Sequence, residues 1–282
     1  MPRLGAHMSI AGGVDLSLLR GQDVGCDAIQ IFTKSSNQWK AKPLADDEIE
    51  RFHANQGQTG IHPVVGHTSY LLNLGTPDDV LWNRSIDGLV IEMERSQRMR
   101  LPFLVLHPGA HMGSGEEAGM QRIAEGVNLV LDRTPAVDTM LLLEITAGQG
   151  SALCCTFEQL VRVIHMCHCP HRLGVCFDTC HAFAAGYDQR TRKAYEATFS
   201  DLDRIVGLQR VRCFHLNDAK KGLGSHVDRH EHIGQGQLGL EAFRCLLNDP
   251  RFADHPMLLE TQKSPDMHED VMNLATLRGL LK

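Results

Sequence analysis

Short apolar runs, each about the length of a strand, alternate along this chain with stretches whose apolar positions recur at helical spacing. Eight runs read as strands, at residues 3–8, 28–33, 62–67, 103–107, 140–145, 173–178, 211–216 and 256–261. "FLVLH", "MLLLE" and "PMLLE" are almost continuously apolar, the pattern of parallel strands covered on both faces. Between the runs, residues 77–99 place Val80, Leu81, Ile86, Val90 and Met93 on one helical stripe, and residues 116–133 do the same with Ile123, Val127 and Val130. Thr156 in "TFEQL" is a predicted helix N-cap. Gly and Pro mark the joins at Pro108-Gly109, Gly148 and Pro170. No linker or low-complexity segment divides residues 1–282, so eight β-α units in one stretch predict an α/β fold, a (β/α)8 TIM barrel forming a single domain.

In such barrels the chemistry sits at the C-terminal ends of the strands. Here the runs end in His7, Thr33, His67, His107, Glu144, Asp178, His215 and Glu260, so seven of eight ends are His, Asp or Glu. Carboxylates crowded around one axis repel one another unless cations lie between them. Two local pairs extend the set. "FDTCHAFAAGYD" delivers Asp178 and, three residues on, His181; "SHVDRHEHIGQG" carries Asp228 and His230, which an extended segment would turn to the same side. Imidazole with carboxylate favours zinc, with manganese or iron as alternatives, and bridging carboxylates such as Glu144 suit closely spaced ions.

The rest of the composition adjusts this picture at a few points. A net charge of −6 argues against a generally basic nucleic-acid binder but leaves room for a local positive field. Nine cysteines, odd in number and scattered through apolar runs, read as reduced thiols. With no apolar run long enough for a membrane span, the expectation is a soluble, cytoplasmic protein. "HMCHCPH", His165 to His171, has the composition of a soft-metal site but reads as a buried thiol pair with solvated imidazoles.

The residues so far singled out lie within a series of motifs: "GAHMSIAGG", "FTKSSNQW", "HTSYLLNLG", "HPGAH", "TAGQGS", "GVCFDTCHAFAAGYD", "FHLNDAK", "VDRH" and "LLET". In their order and spacing they resemble endonuclease IV, the metal-dependent apurinic/apyrimidinic endonucleases of base-excision repair, nearly end to end. The resemblance implies a TIM barrel with three Zn²⁺ ions, Mn²⁺ being possible in part. It assigns His67 and His107 to the first ion, with Glu144 bridging to the second. Asp178, His215 and Glu260 complete the second, and His181, Asp228 and His230 hold the third. No ligand role falls to His7, which is expected to support the ligands. The implied substrate is double-stranded DNA with abasic sites or blocked 3′ ends, cut on the 5′ side of the lesion to leave a 3′-hydroxyl and a 5′-deoxyribose phosphate. A monomer is expected.

Metal-assisted hydrolysis needs no side-chain nucleophile, and Glu144 and Glu260 are the expected catalytic carboxylates, Glu260 orienting the attacking water. Asn37, Tyr70 and Leu71 are the expected DNA-contacting residues. Asn37 stands where the family commonly has an arginine, and Ile145 where a polar residue often follows the bridging glutamate. Lys34, Lys40 and Lys42 around Trp39, and Lys220 with Lys221, are expected to add phosphate contacts. Two other readings compete: a sugar isomerase or epimerase of the related barrel type, which has no use for His181, Asp228 and His230 together, and a structural zinc site, which normally uses a closed Cys/His set.

Overall fold

The computed structural model describes residues 1–282. Ten strands occur: β1 (Arg3–Met8), β2 (Ala28–Phe32), β3 (Val64–His67), β4 (Phe103–Leu106), β5 (Met140–Glu144), β6 (Leu173–Asp178), β7 (Val211–His215), β8 (Asp218–Ala219), β9 (His230–Glu231) and β10 (Pro256–Leu259). Eight close a barrel in the order β1-β10-β7-β6-β5-β4-β3-β2, every neighbouring pair parallel. All eight predicted runs are therefore barrel strands, with ends that differ by a residue or two. β3 starts at Val64, past Pro63, which has no N–H to give to a ladder. The remaining strands, β8 and β9, form a small antiparallel ribbon above β7.

Helices follow the strands as the periodicity predicts, the longest being Asp79–Arg98 and Glu116–Arg133. Thr156 caps Phe157–Met166 by accepting from the Gln159 N–H, and Asp78 caps Asp79–Arg98 through the N–H groups of Val80 and Leu81. One position departs from the predicted stripe. Val80 is 79% exposed. It lies in the first turn, whereas Ile86, Leu89, Val90 and Met93 further along are buried.

Most of the core lies between barrel and helices, in a cluster of 67 buried residues. A second, small cluster fills the barrel itself: Ala28, Val65, Val105, Leu142, Cys176, Cys213 and Leu258, one from each strand but β1. There Gly5 takes the place, and a Cβ on it would fall 1.6 Å from the Ala28 carbonyl oxygen. That plug is the floor on which the site stands. All nine cysteines are free thiols.

Candidate metal centre

Side chains alternate across a strand, so the residue two beyond each plug residue also points into the barrel. Those residues are His7, Gln30, His67, His107, Glu144, Asp178, His215 and Glu260. Seven are the strand ends singled out above. The eighth corrects the sequence reading: β2 contributes Gln30, not Thr33. Thr33 lies past the strand, and its Oγ1 donates to Glu92 Oε2 at 2.7 Å, away from the ring.

Three groups of donors converge above the plug. His67 Nε2 and His107 Nε2 lie 3.4 and 2.9 Å from Glu144 Oε2. The other oxygen of Glu144 lies 3.0 Å from His215 Nδ1, which is itself 3.2 Å from Glu260 Oε2 and 3.7 Å from Asp178 Oδ2. Glu144 thus turns one oxygen to each of two groups, as a bridge must. In the third group His181 Nε2, His230 Nε2 and Asp228 Oδ1 make a triangle with edges of 3.2, 3.4 and 3.4 Å. Asp178 Oδ2, 3.8 Å from His230 Nε2, stands between the second group and the third.

The protons decide what these distances mean. His181 Nδ1 lies 3.0 Å from the Ile145 carbonyl, and His230 Nδ1 3.3 Å from the Glu260 carbonyl. A carbonyl only accepts, so both Nδ1 atoms carry a proton, and it is Nε2 that offers a lone pair when the imidazole is neutral. The two Nε2 atoms therefore face each other and a carboxylate, across a space that only a proton or a metal cation can fill. His67 repeats the arrangement, its Nδ1 donating to the Thr68 carbonyl at 2.7 Å and its Nε2 turned to Glu144. Lone pairs crowded in this way repel unless a cation separates them. Two ligands each about 2.0–2.1 Å from a tetrahedral ion lie ~3.4 Å apart, the spacing found here. The donor set fits divalent metal.

Electrostatics agree with the geometry. Burial alone would raise the carboxyl of Glu144, but His107 and His215 outweigh it and hold it well below the usual range. Glu260 is likewise held low, by His215 first among its partners and against burial. Burial would lower His107, His181 and His215, yet Glu144, Asp178 and Glu260 respectively lead the partners that raise them. A metal ion entering such a site displaces protons, so uptake strengthens as pH rises.

Local structure explains why the ligands stay in place. Asp178 ends β6 and caps the helix Thr179–Ala185, its Oδ1 accepting the His181 N–H at 2.7 Å. One carboxylate thereby orients the next ligand and still offers Oδ2 to the centre. Asn217 Nδ2 donates to that Oδ2 at 2.6 Å, while its Oδ1 accepts the Glu260 N–H at 2.9 Å. The segment carrying Asp228 and His230 is tied down by Asp218, which accepts from the N–H groups of Gly234, Gly236, Leu238 and Gly239. Ile145 turns its side chain into the core and is fully buried. Only its carbonyl serves the site, so the apolar residue does no harm there.

Above the centre lies a cavity of about 260 Å³ walled by Tyr70, His107, His181, Lys220, Asp228 and Glu260, among others. Tyr70 is 60% exposed and its ring stands edge-on to His107 at 5.8 Å and tilted over His67 at 5.6 Å. Leu71 is half-buried beside it, and Asn37 is exposed on the turn after β2. The two loops are joined, Ser69 Oγ donating to the Ser36 carbonyl at 2.5 Å. Glu92, fully buried in the helix Asp79–Arg98, holds both: it accepts from Thr33 Oγ1 and from the Ser69 N–H at 3.1 Å.

Lys34 corrects a second expectation. It is buried, its Nζ 3.4 Å from Glu92 Oε1 and 2.7 Å from the Gln38 carbonyl. The ammonium therefore braces a loop and does not meet phosphate. Lys40, Lys42, Lys220 and Lys221 are exposed. In the His165–His171 stretch Cys167 is buried and its thiol faces the Val163 carbonyl, while exposed His168 pairs with Asp132 at 2.9 Å. Those residues do not converge on a common point.

Sequence reasoning missed Gln30, Asn217 and Glu92. For Gln30 a signal existed: a lone amide inside the apolar run "AIQIF", at the inward parity of its strand. Asn217 and Glu92 gave none, since their partners lie far away along the chain.

A family model described as the xylose isomerase-like TIM barrel matches residues 19–277. A probable endonuclease 4 of Chloroflexus aggregans is 57% identical over 282 residues, covering 100% of this chain and 99% of that protein. The probable endonuclease 4 of Geobacter sulfurreducens is 50% identical over 279 residues, 99% of this chain and 94% of its own length. Among solved structures, endonuclease IV from Thermus thermophilus superposes with a TM-score of 0.89 at 38% identity, covering 99% of this chain and 98% of that one. With the barrel, the crowded donor groups at its mouth and end-to-end likeness at this level, the chain belongs to the endonuclease IV family of DNA-repair enzymes.

Proposed function

We propose that residues 1–282 act as one unit, a zinc-dependent nuclease that cuts the phosphodiester on the 5′ side of an abasic site in duplex DNA. The products are a 3′-hydroxyl and a 5′-deoxyribose phosphate, and blocked 3′ ends are removed by the same centre. The observation that carries this reading is the lone-pair crowding at His181, His230 and Asp228, which a cation relieves.

His67, His107 and Glu144 hold one ion in this reading. Glu144, Asp178, His215 and Glu260 hold a second, and His181, Asp228 and His230 a third. Imidazole-rich sets select zinc, while the carboxylate-rich second set also accepts manganese. When bound, such ions activate water and neutralise the phosphate oxygens and the departing 3′-oxygen. Three divalent charges exceed the four carboxylates, so an acidic chain presents a positive centre to DNA. Glu260, held at one oxygen by Gln30, turns the other to the second ion, where it also borders the water to be activated. Tyr70 walls the cleft beside His67 and His107 and, with Leu71 and Asn37, meets the distorted duplex. The enzyme works as a monomer in the cytoplasm. No helix is long and apolar enough to cross a membrane.

The test is incision of a 5′-labelled duplex carrying one abasic site. The expected product bears a 3′-hydroxyl that a polymerase extends without further processing. A product ending in a sugar fragment, the mark of β-elimination, would contradict the hydrolytic assignment.

A further inference from the structure

Gln30 is the one member of the inward ring that is neither an imidazole nor a carboxylate, and its side chain is fully buried. Its amide is saturated. Nε2 donates to Glu260 Oε1 at 2.6 Å and to His7 Nδ1 at 3.0 Å, while Oε1 accepts from His215 Nε2 at 2.8 Å. Only one orientation of the amide works. Turned over, it would set its carbonyl oxygen against the Glu260 carboxylate, acceptor against acceptor.

That fixed orientation has a consequence for His215. Because Gln30 offers His215 an oxygen, His215 Nε2 must carry a proton, and the neutral imidazole can offer its lone pair only at Nδ1, which faces Glu144, Asp178 and Glu260. The same amide pins one oxygen of Glu260 and leaves Oε2 turned to the centre. The second amide hydrogen goes to His7 Nδ1, which places the His7 proton on Nε2. That Nε2 is buried and has no partner. His7 is thus held by Gln30 on one side and by ring contact with Phe32, centroids 4.3 Å apart, on the other.

We infer that Gln30 is a positioning residue for the metal centre: it sets the tautomer of His215 and the orientation of Glu260 together, and His7 locks its amide. The inference rests on the metal reading given above. Partners of metal ligands outside the coordination sphere typically contribute about 10–100-fold in affinity or activity.

Gln30→Met keeps much of the volume and removes both hydrogen-bonding groups. The probe is cobalt(II), added to the metal-free full chain, because its visible absorption reports ligand geometry directly. In the variant, cobalt affinity at the weakest-held site is expected to fall about 10-fold, with a changed absorption band. In the zinc-loaded enzyme kcat on an abasic duplex falls by about the same factor while KM stays near the wild-type value, since Gln30 lies beneath the DNA-facing surface. Gln30→Leu, smaller and equally unable to hydrogen-bond, gives the same result should the methionine disturb folding. A wild-type chain that takes up no cobalt sinks the metal assignment and this inference with it. A wild-type chain that loads normally, beside a Gln30→Met chain of equal affinity, spectrum and kcat, overturns the role of Gln30 alone.

Discussion

Asp228→Ala is expected to release about one metal ion per chain and to lower kcat on an abasic duplex by roughly 10²–10³-fold, the usual cost of removing one transition-state electrostatic contact. Asp228 supplies the only negative charge in the triangle it makes with His181 and His230. Without it, two imidazole donors remain, too few to hold a divalent ion against water. Burial would raise its carboxyl, but His181 and the other imidazoles dominate and bring it down to about 2, so it is ionised wherever the enzyme works. Folding should be little affected, because the carboxylate is 42% exposed and caps no helix. kcat and kcat/KM are expected to fall together, the sign of an interaction made chiefly in the transition state. Elemental analysis and steady-state kinetics on one preparation check this. Full metal content with normal turnover would remove Asp228 from the centre.

The double change Tyr70→Ala, Leu71→Ala is expected to cost roughly 100-fold in preference for abasic over intact duplex, about 2.7 kcal/mol, with metal content unchanged. A sugar stacked inside a duplex cannot reach a centre recessed at the barrel mouth. It must be turned out, which costs least where the base is already missing. An exposed ring and a neighbouring aliphatic side chain can fill the vacated space, as apolar wedges do. Tyr70 is braced for that task by ring contacts with Phe32, His67 and His107. Its loop is fixed through Ser69 to Ser36 and Glu92. Asn37 is shorter than an arginine and uncharged, so more of that work is expected to fall on Tyr70 and Leu71. Asn37→Arg should accordingly tighten binding and steepen its salt dependence. Equilibrium binding to abasic and intact duplexes at two salt concentrations is the measurement. Unchanged discrimination in the double variant would mean that these residues only pack the start of their loop.

Much of the site could be read from residue order because a barrel converts strand ends into a ring. Each buried parallel strand announces itself as a continuous apolar run, and the polar residue that ends it falls at the mouth. That logic found His67, His107, Glu144, Asp178, His215 and Glu260 and brought them near one another. It failed at β2, where the run continues past the last inward residue. Parity, not position at the end, decides which side chain points in, and Gln30 has the right parity. Lys34 misled for another reason. A lysine beside a tryptophan looks like a phosphate contact, but its partner Glu92 stands on a helix far along the chain, and only the fold brings them within 3.4 Å. Asn217 was invisible for the same cause: a polar residue just past a strand has no mark that shows it linking Asp178 to Glu260.

The assignment of the three crowded donor groups to three metal sites stands or falls on stoichiometry. Its most direct test is the metal content of the purified chain, determined by elemental analysis against a quantified protein concentration. About three divalent ions per chain are expected, mostly zinc, with incision of an abasic duplex lost as they are stripped and regained as they are restored. A chain that cuts abasic DNA at full rate with no bound metal, or one that never holds more than a single ion, would contradict it.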